Sequence, residues 1–327
     1  MTPAIAEALK ASGTRIVITG AGGWLGMATL ELLHAALGEG FAGRVICFGS
    51  SHRALTLIDG TVIDQQPLSD LAALEPAPTI LLHLAFLTKD RAEAMDEEAY
   101  RNANRALDRL VLDALDPIGV NAVFVASSGA AYRADDPTAA PAMQLYGGLK
   151  RDQEAMFADW ATASGKRAII ARIFNISGPH INKHGSYALA AFILDVLAGR
   201  PITINAPHRV VRSYVAVREL MTLVFALLLE DVAQSLRFDT GGEPMEMQDI
   251  AQAVADLLGP VAIVRPTQDA TISDVYTGDP AFYRALLADH AMVPVAFAEQ
   301  VLETAEFLAL CGLSSPTGRV ATTKQSC

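Results

Sequence analysis

A tyrosine and a lysine four residues apart are the residues of this sequence with the clearest capacity for acid–base chemistry. Tyr146 and Lys150 lie in "YGGLK", and residues i and i+4 of a helix share one face. A tyrosine with its usual pKa of about 10 is a poor base near neutral pH. A neighbouring ammonium group favours the phenolate and brings the phenol into the range of acid–base chemistry. The pair therefore indicates proton transfer at a hydroxyl or carbonyl group, with a serine hydroxyl available from Ser127 or Ser128 in "ASSGAAY".

Three glycines lie three residues apart in "TGAGGWLG", directly after the apolar run "RIVI". Glycine costs about 0.5–1 kcal/mol relative to alanine inside regular structure, so something must approach the backbone closely here. Between a strand and a helix, Gly20 permits the tight turn, Gly23 admits a pyrophosphate and Gly26 lets the helix pack on the strand. The phosphates would lie on the helix N-terminus, at Trp24 and Leu25. The stretch therefore predicts a dinucleotide site.

The elements that must position these residues alternate along the first two thirds of the chain. The predicted strands are Arg15–Thr19, Arg44–Phe48, Thr61–Ile63, Thr79–Leu84, Ala122–Ser127, Ala168–Phe174 and one near Leu236–Asp239; the predicted helices are Trp24–Leu37, Glu97–Leu115 and Tyr146–Ser164. Continuous apolar strands indicate a parallel sheet buried on both faces. The expected fold is therefore α/β, a Rossmann-like doubly wound parallel sheet with a smaller C-terminal substrate-binding lobe.

This pattern also suggests how the chain divides. We expect a dinucleotide-binding domain at residues 1–176, with a returning segment at about 209–242. The substrate-binding lobe would take residues 177–208 and 243–313, and residues 314–327 would form a loose tail.

Composition narrows the class of protein. A net charge of −11 argues against a nucleic-acid or anionic-membrane surface. Three cysteines without metal-ligand spacing favour neither a metal site nor a disulfide framework. The longest apolar runs are too short to span a bilayer, and the first residues lack the features of a signal peptide. The expected protein is soluble and cytoplasmic.

Six motifs in order resemble the extended short-chain dehydrogenase/reductase family of nucleotide-sugar enzymes. After the glycine turn come "HLAF" (His83–Phe86), Asn104, "ASSGAAY" (Ala126–Tyr132), "YGGLK" (Tyr146–Lys150), "RIFNISGP" (Arg172–Pro179) and "RSYVAV" (Arg212–Val217). Phe86 departs from the alanine that the family carries there. The 4,6-dehydratase branch has an Asp-Glu pair where this chain has Gly129 and Ala130, so dehydration is not expected.

The resemblance implies roles for individual residues. Ser128, rather than Ser127, matches the family's catalytic serine, and the implied catalytic residues are Ser128, Tyr146 and Lys150. The implied cofactor-binding residues are Gly20, Gly23, Trp24, Leu25, Gly26, Ser50, Ser51, Arg53, Asp64, Leu84, Ala85, Asn104, Tyr146 and Lys150. Ser128, Asn175 and Arg212 are implied to bind substrate. His83 is expected to be structural, while substrate contact by His180 or His184 stays open.

The end of the second strand bears on the choice of cofactor. Family members that bind NAD place an acidic residue there, on the ribose hydroxyls, but "VICFGSSHRA" has Gly49 at that position. The hydroxyls of Ser50 and Ser51 and the guanidinium of Arg53 suit a 2′-phosphate. Asp64, after the third strand, matches the residue that faces the adenine amino group. We therefore expect NADP, with NAD as the alternative.

The resemblance also implies an activity. The leading expectation is an NADP-dependent 4-ketoreductase of a deoxysugar nucleotide. An NAD-dependent nucleotide-sugar 4-epimerase is the alternative, and a non-catalytic dinucleotide-sensing protein is the second. The sugar, the base and the direction of reaction stay open. The helices that carry Asn104 and Tyr146 commonly pair between subunits in this family, so a homodimer is expected.

Overall fold

The computed structural model describes residues 1–232 and 234–313, and the predicted tail at 314–327 lies outside them. The helices are α1 Pro3–Ser12, α2 Trp24–Leu37, α3 Lys89–Ala94, α4 Glu97–Leu115, α5 Pro141–Ser164, α6 Ala188–Leu197, α7 Val217–Leu229, α8 Met247–Leu258, α9 Pro280–Asp289 and α10 Phe297–Leu310. The strands are β1 Arg15–Thr19, β2 Val45–Gly49, β3 Arg53–Thr56, β4 Val62–Pro67, β5 Thr79–His83, β6 Val120–Ser128, β7 Arg167–Ile173, β8 Asn175–Ser177, β9 Ile202–Thr203, β10 His208–Arg212, β11 Tyr214–Ala216, β12 Ser235–Asp239, β13 Met245–Glu246, β14 Ile263–Val264 and β15 Asp269–Tyr276.

The largest sheet has eight strands in the order β12-β7-β6-β5-β1-β2-β4-β3. Its neighbouring strands are parallel except for β3, which runs antiparallel to β4 at the edge. Strands β1, β5 and β6 are in register at Thr19, His83 and Val125, so their carboxyl ends meet at one edge. The predicted fold class, a Rossmann-like α/β fold, is confirmed.

Helices α4 and α5 cover one face of this sheet. Val17, Leu81 and Val123 from three adjacent strands share one buried cluster with Val111 of α4 and Phe157 of α5. Complete burial of such a side chain contributes about 1.5–3 kcal/mol. The packing fixes the helix that carries Tyr146 and Lys150 against the strand that ends in Ser128.

The chain forms two compact units. The first comprises residues 1–173 and 221–239, and the second comprises residues 174–220 and, among the described residues, 240–313. Within the second unit, β10 pairs with β13 and β15, β8 pairs with β11, and β9 pairs with β14. The returning segment is therefore shorter than the expected 209–242, because β10 and β11 pair with strands of the second unit.

Several elements of the first unit differ from the prediction. Helix α5 begins at Pro141 rather than Tyr146, with the proline in its first turn. The strand predicted at Thr61–Ile63 is β4 and extends to Pro67. The short strand β3, which was not predicted, pairs along its edge. The N-terminal residues form helix α1, which was not predicted and buries Ile5 and Leu9.

The two helices expected to pair between subunits use much of their apolar surface within the chain. Val111, Ala114 and Phe157 are buried in the cluster beneath them. Leu107, Leu110 and Trp160 pack partly against the same cluster, and Met156 is half-buried. The half-buried residues are therefore the apolar surface of these helices that stays partly accessible.

Candidate active site

The two serines at the end of β6 have different environments, because successive side chains of a strand point to opposite faces. The Ser127 hydroxyl donates to the carboxylate of Glu154 on α5. That carboxylate also accepts two hydrogen bonds from the Arg172 guanidinium, at 2.8 and 2.7 Å. The Ser128 hydroxyl instead accepts a hydrogen bond from the Ala130 backbone N–H at 3.2 Å. The engagement of Ser127 in an ion-pair network supports the choice of Ser128.

Tyr146 and Lys150 lie in the second and third turns of α5. Lys150 is 4% exposed, and its ammonium donates to the Ala126 carbonyl oxygen at 2.7 Å and to Gln153 Oε1 at 3.0 Å. Burial lowers the pKa of Lys150 to about 7, although the negative charges of Asp108 and Glu154 oppose the shift. This lysine therefore changes charge in the range where acid–base chemistry at neutral pH needs it.

Gly147 brings this helix close to the turn that follows Ser128. A Cβ atom at Gly147 would overlap the carbonyl oxygen of Ala130, so any other residue here would push the helix away. The adjacent Tyr146 side chain therefore depends on the glycine for its approach to the end of β6. The sequence analysis missed this role, although the repeated glycine in "YGGLK" is a visible signal of close packing.

Phe86 marks a departure from the family pattern at the same place. Its ring lies 3.7 Å from the Lys150 ammonium, measured to the ring centroid. It also meets the Tyr146 ring edge to face, with centroids 5.8 Å apart. Phe86 thus contacts both residues of the predicted catalytic pair and shields the ammonium group from water.

The glycine turn has the shape that a dinucleotide requires. Gly20 has φ of +76°, and a Cβ atom there would lie 2.7 Å from the Ala85 backbone nitrogen. A Cβ atom at Gly26 would overlap the Ala21 carbonyl oxygen. Gly23 is the N-cap of α2 and supplies no side chain to its first turn, which starts at Trp24 and Leu25. The first-turn N–H groups of a helix point outward and favour an anion, so these residues fit a pyrophosphate.

The β3–β4 hairpin brings two side chains onto this turn. Arg53 and Gln65 are cross-strand partners. Gln65 Oε1 accepts a hydrogen bond from the Gly22 N–H at 3.1 Å, and Arg53 Nη2 donates to the Gly22 carbonyl oxygen at 3.1 Å. Both polar atoms of the Gly22 backbone are therefore bound by one cross-strand pair. We refer to Arg53 and Gln65 together as the Gly22 clamp.

Gln65 also accounts for the glycine at the end of β2. A Cβ atom at Gly49 would overlap the Gln65 carboxamide, whose Nε2 donates to the Ser51 carbonyl oxygen at 2.9 Å. The carboxamide thus fills the space beside position 49, which the family's acidic residue otherwise needs. The sequence alone did not indicate Gln65, because the parallel pairing of β4 with β2 brings it there.

Two predicted cofactor-binding residues have contacts that the sequence did not suggest. Asp64 lies inside β4, three residues before its end, and its carboxylate is 2.8 Å from His52 Nε2. Its predicted position after the strand is therefore wrong, because β4 extends to Pro67. Asn104 is buried. Its Oδ1 accepts a hydrogen bond from the Leu87 N–H at 2.8 Å, and its Nδ2 donates to the backbone carbonyl oxygen of Tyr100.

Asn104 thereby holds the loop that follows β5. The Tyr100 hydroxyl donates to the Leu87 carbonyl oxygen at 2.5 Å, so both backbone groups of Leu87 are bound from α4. Leu84 and Ala85 lie in this loop, and the Leu84 N–H donates to the Thr19 carbonyl oxygen at 3.0 Å. Ser50 is exposed at the end of β2. Direct contact of these residues with a cofactor stays a prediction.

The predicted substrate-binding residues Asn175 and Arg212 belong to the second unit. Asn175 Nδ2 donates to the Ser213 carbonyl oxygen at 3.1 Å, and the Arg212 guanidinium pairs with the Asp274 carboxylate at 2.6 Å. His180 is 5% exposed and its ring packs against Phe307, with centroids 4.9 Å apart. His184 Nε2 lies 2.7 Å from the Ile181 carbonyl oxygen.

Neither a metal-ligand cluster nor a membrane-spanning helix occurs in the described part of the chain. Across residues 1–232 and 234–313 there is no group of three or more His, Cys, Asp or Glu side chains that could hold a metal ion. Over the same ranges, no helix has both the length and the apolar character needed to cross a membrane.

Residues 16–237, more than half of the chain, match the model of the NAD dependent epimerase/dehydratase family. The chain belongs to this family. The match starts in β1, before the glycine turn, and ends in β12, so it includes the residues that position Ser128, Tyr146 and Lys150.

The individual relatives have low sequence identity to this chain. UDP-glucuronic acid decarboxylase 5 of Arabidopsis thaliana is 28% identical over 123 residues, which cover 37% of this chain and 36% of the decarboxylase. UDP-glucose 4-epimerase of Azospirillum brasilense is 25% identical over 299 residues, or 83% of each protein. The solved structure of MoeE5 in complex with UDP-glucuronic acid and NAD has a TM-score of 0.69 at 18% identity and covers 90% of this chain and 99% of MoeE5. This structural likeness shows a shared fold.

Proposed function

We propose that the chain is an NADP-dependent oxidoreductase that acts on a nucleoside-diphosphate sugar, as a 4-ketoreductase of a deoxysugar nucleotide. The observation that carries the proposal is the joint placement of Tyr146 and the buried Lys150 beside the strand that ends in Ser128. The relatives, which include a UDP-glucuronic acid decarboxylase and a UDP-glucose 4-epimerase, support a nucleotide sugar as the substrate class.

In this mechanism, the chain supplies proton transfer and positioning. The Tyr146 hydroxyl gives its proton to the reacting sugar oxygen, and Ser128 donates a hydrogen bond to the same oxygen. The Lys150 ammonium favours the phenolate of Tyr146 and binds the ribose next to the nicotinamide. The nicotinamide cofactor, when bound, supplies the hydride. Asn175 and Arg212 are the residues proposed to bind the sugar nucleotide, with the diphosphate as the partner proposed for Arg212.

The Gly22 clamp supports NADP as the cofactor. Arg53 lies on the glycine turn with one hydrogen bond to Gly22, and a guanidinium carries five N–H donors, so others remain for a phosphate. Position 49 has no carboxylate to repel a 2′-phosphate. The hydroxyls of Ser50 and Ser51 complete the polar surface of this loop. NAD is the alternative, since MoeE5 holds NAD in its complex.

We expect the Arg53→Ala variant to lose about ten- to a hundredfold more affinity for NADPH than for NADH, because both cofactors lose the support of Gly22 and only NADPH loses a phosphate contact. The loss of a charge-assisted hydrogen bond of about 1.5–3 kcal/mol is the cause. Titration of both reduced cofactors measures the effect. Arg109→Ala is the matched control, since Arg109 is exposed on α4 and pairs with Asp113. A wild type that prefers NADH, or equal loss for both cofactors, would contradict the NADP proposal.

A second variant tests the space beside Gly49. Gly49→Asp alone would place its Cβ atom on the Gln65 carboxamide, so the substitution is combined with Gln65→Ala. The new carboxylate repels a 2′-phosphate and accepts hydrogen bonds from ribose hydroxyls. The double variant should therefore favour NADH, while Gln65→Ala alone should keep the cofactor preference of the wild type.

The second candidate function is an NAD-dependent nucleotide-sugar 4-epimerase. It is favoured by the match to the Azospirillum brasilense epimerase over 83% of each chain. An epimerase retains its cofactor through turnover, whereas a reductase exchanges it. Nucleotide analysis of the denatured protein separates the two: NAD released in proportion to protein supports the epimerase. An empty site that binds NADPH supports the reductase.

A homodimer is part of the proposal. The half-buried Leu107, Leu110, Met156 and Trp160 lie on α4 and α5, and such a surface favours a partner helix pair. Light scattering at micromolar concentration tests this assembly, and the mass of a single subunit would contradict it.

A further inference from the structure

A chain of buried hydrogen bonds leads away from Lys150 into the first unit. Lys150 donates to Gln153 Oε1 at 3.0 Å, and Gln153 Nε2 donates to Asp108 Oδ1 at 2.5 Å. The same carboxylate oxygen lies 3.0 Å from His83 Nε2, and His83 Nδ1 lies 2.8 Å from the Thr19 hydroxyl. Each of these five residues is less than 5% exposed. We refer to Lys150, Gln153, Asp108, His83 and Thr19 as the buried relay.

The chemistry of the groups fixes the direction of the bonds that link Lys150, Gln153 and Asp108. An ammonium only donates, so Gln153 must turn its oxygen toward Lys150 and its NH₂ group toward α4. An ionised carboxylate only accepts, and Asp108 is therefore matched to the Gln153 NH₂. Toward an ionised Asp108, His83 then donates through Nε2. With Asp108 ionised, the Gln153 carboxamide has one favoured orientation.

Charge gives Asp108 a second effect on Lys150. Around the lysine are Glu154 and Tyr146 on α5, Asp108 on α4, His83 at the end of β5, the Phe86 ring in the next loop and the Ala126 carbonyl oxygen of β6. Glu154 is paired with Arg172 at 2.7 Å and lies 3.5 Å from Arg237. Asp108 is instead bound by the neutral Gln153 carboxamide and by the His83 ring. A buried ammonium depends strongly on such a charge, because burial itself disfavours the protonated form.

We propose that Asp108 is a positioning residue for Lys150, acting through Gln153. Asp108 fixes the Gln153 carboxamide in the orientation that accepts from the ammonium, and it supplies the negative charge that balances this ammonium inside the unit. The part of this proposal that concerns catalysis depends on the proposed function, in which Lys150 must be charged to assist Tyr146 and to bind the cofactor ribose.

The test moves the negative charge by one residue along the relay. Asp108→Asn removes the carboxylate and leaves the shape of the side chain. In Asp108→Asn/Gln153→Glu, the new carboxylate at position 153 accepts from Lys150 on one side and from the new carboxamide NH₂ at position 108 on the other, so both hydrogen bonds are kept. Asp113→Asn is the matched control, the same change at an exposed site of the same helix. The pKa of Lys150 is measured by carbon-13 NMR of lysine-labelled protein, with the signal assigned by its absence in Lys150→Arg.

We expect Asp108→Asn to lower the pKa of Lys150 by about one unit or more. The double variant should return it to within a few tenths of the wild-type value or above, and Asp113→Asn should leave it unchanged. An unchanged pKa in Asp108→Asn, or no recovery in the double variant, would overturn the proposal. If Asp108→Asn does not fold, Gln153→Met removes the acceptor of the ammonium and must lower the same pKa.

Cofactor affinity provides the functional readout. A lysine binds ribose hydroxyls best when protonated, so affinity falls as pH rises through the pKa of Lys150. At a pH above the pKa, a decrease of one unit in the pKa of Lys150 reduces the protonated fraction of this lysine to about one tenth of the wild-type fraction. The Asp108→Asn variant should therefore bind reduced cofactor several-fold more weakly than the wild type at pH 8. The two proposals fail separately. If the variants change the pKa of Lys150 as expected but the wild-type protein binds neither NADH nor NADPH, the proposed function is contradicted and the role of Asp108 stands.

Discussion

Replacement of Tyr146 by phenylalanine should lower kcat by at least about a hundredfold while the affinity for cofactor stays close to that of the wild type. The phenylalanine ring keeps the edge-to-face contact with Phe86 and loses the hydroxyl that transfers the proton. Lys150 keeps its hydrogen bonds to Ala126 and Gln153, so the group proposed to bind the ribose is unaffected. Single-turnover kinetics and equilibrium cofactor titration measure the two quantities separately.

Tyr132 provides the matched control for this substitution. It is exposed in the turn after Ser128, and its hydroxyl donates to the Asp239 carboxylate at 3.1 Å. Tyr132→Phe removes a hydroxyl of the same kind but keeps the ring that faces the Arg172 guanidinium at 4.4 Å. We expect almost normal turnover from this variant. A Tyr146→Phe enzyme as active as Tyr132→Phe would exclude Tyr146 from proton transfer.

The parts of the fold that the sequence predicted best are those with strong local signals. Arg15–Thr19, Trp24–Leu37 and Glu97–Leu115 were predicted with the bounds that the structure shows. The strand is a continuous apolar run, and the two helices lie between clear boundary residues such as Gly23 and Asp96. Buried parallel strands and long helices satisfy most of their hydrogen bonds and packing in ways that composition and periodicity reveal.

The parts that were missed depend on tertiary contacts. Gln65 reaches the glycine turn because β4 pairs in parallel with β2, and Arg53 reaches it because β3 pairs antiparallel with β4. The four residues of β3 carry too little pattern to predict that hairpin. Asp108 lies in "RALDRLVLDAL", where the surrounding charges indicate a solvated helix face. The structure instead buries this carboxylate against His83 and Gln153. Burial of a single charged residue is decided by partners distant in sequence, and local pattern cannot show them.

Loss of the Glu154 charge should destabilise the first unit by about 3–5 kcal/mol, the usual effect of removing one partner from a buried ion pair. The Glu154 side chain is 2% exposed and that of Arg172 is 9% exposed. Glu154→Gln would leave the Arg172 guanidinium inside the protein without its bidentate counter-ion. Urea unfolding followed by tryptophan fluorescence measures the change, since both tryptophans, Trp24 and Trp160, lie in the first unit.

Asp152→Asn is the control for this experiment. Asp152 lies on the exposed side of the same helix, 3.7 Å from Arg105, and the side chains of both residues are more than half exposed. Exposed pairs of this kind contribute about 0–1 kcal/mol, so the unfolding midpoint should barely move. Equal effects of the two substitutions would show that the Glu154–Arg172 pair has no special importance for stability.

The double variant Glu154→Gln/Arg172→Met separates the cost of an unpaired charge from the value of the pair itself. If the cost of Glu154→Gln is that of a buried guanidinium without a partner, removal of that guanidinium should recover a large part of it, and the double variant should be more stable than the sum of the single effects predicts. The recovery has a limit, because Ser127 would still face a residue that no longer carries a carboxylate. Strictly additive effects would contradict the ion-pair interpretation. They would indicate that the apolar contacts of Phe157, rather than the ion pair, hold α5 and thereby position Tyr146 and Lys150.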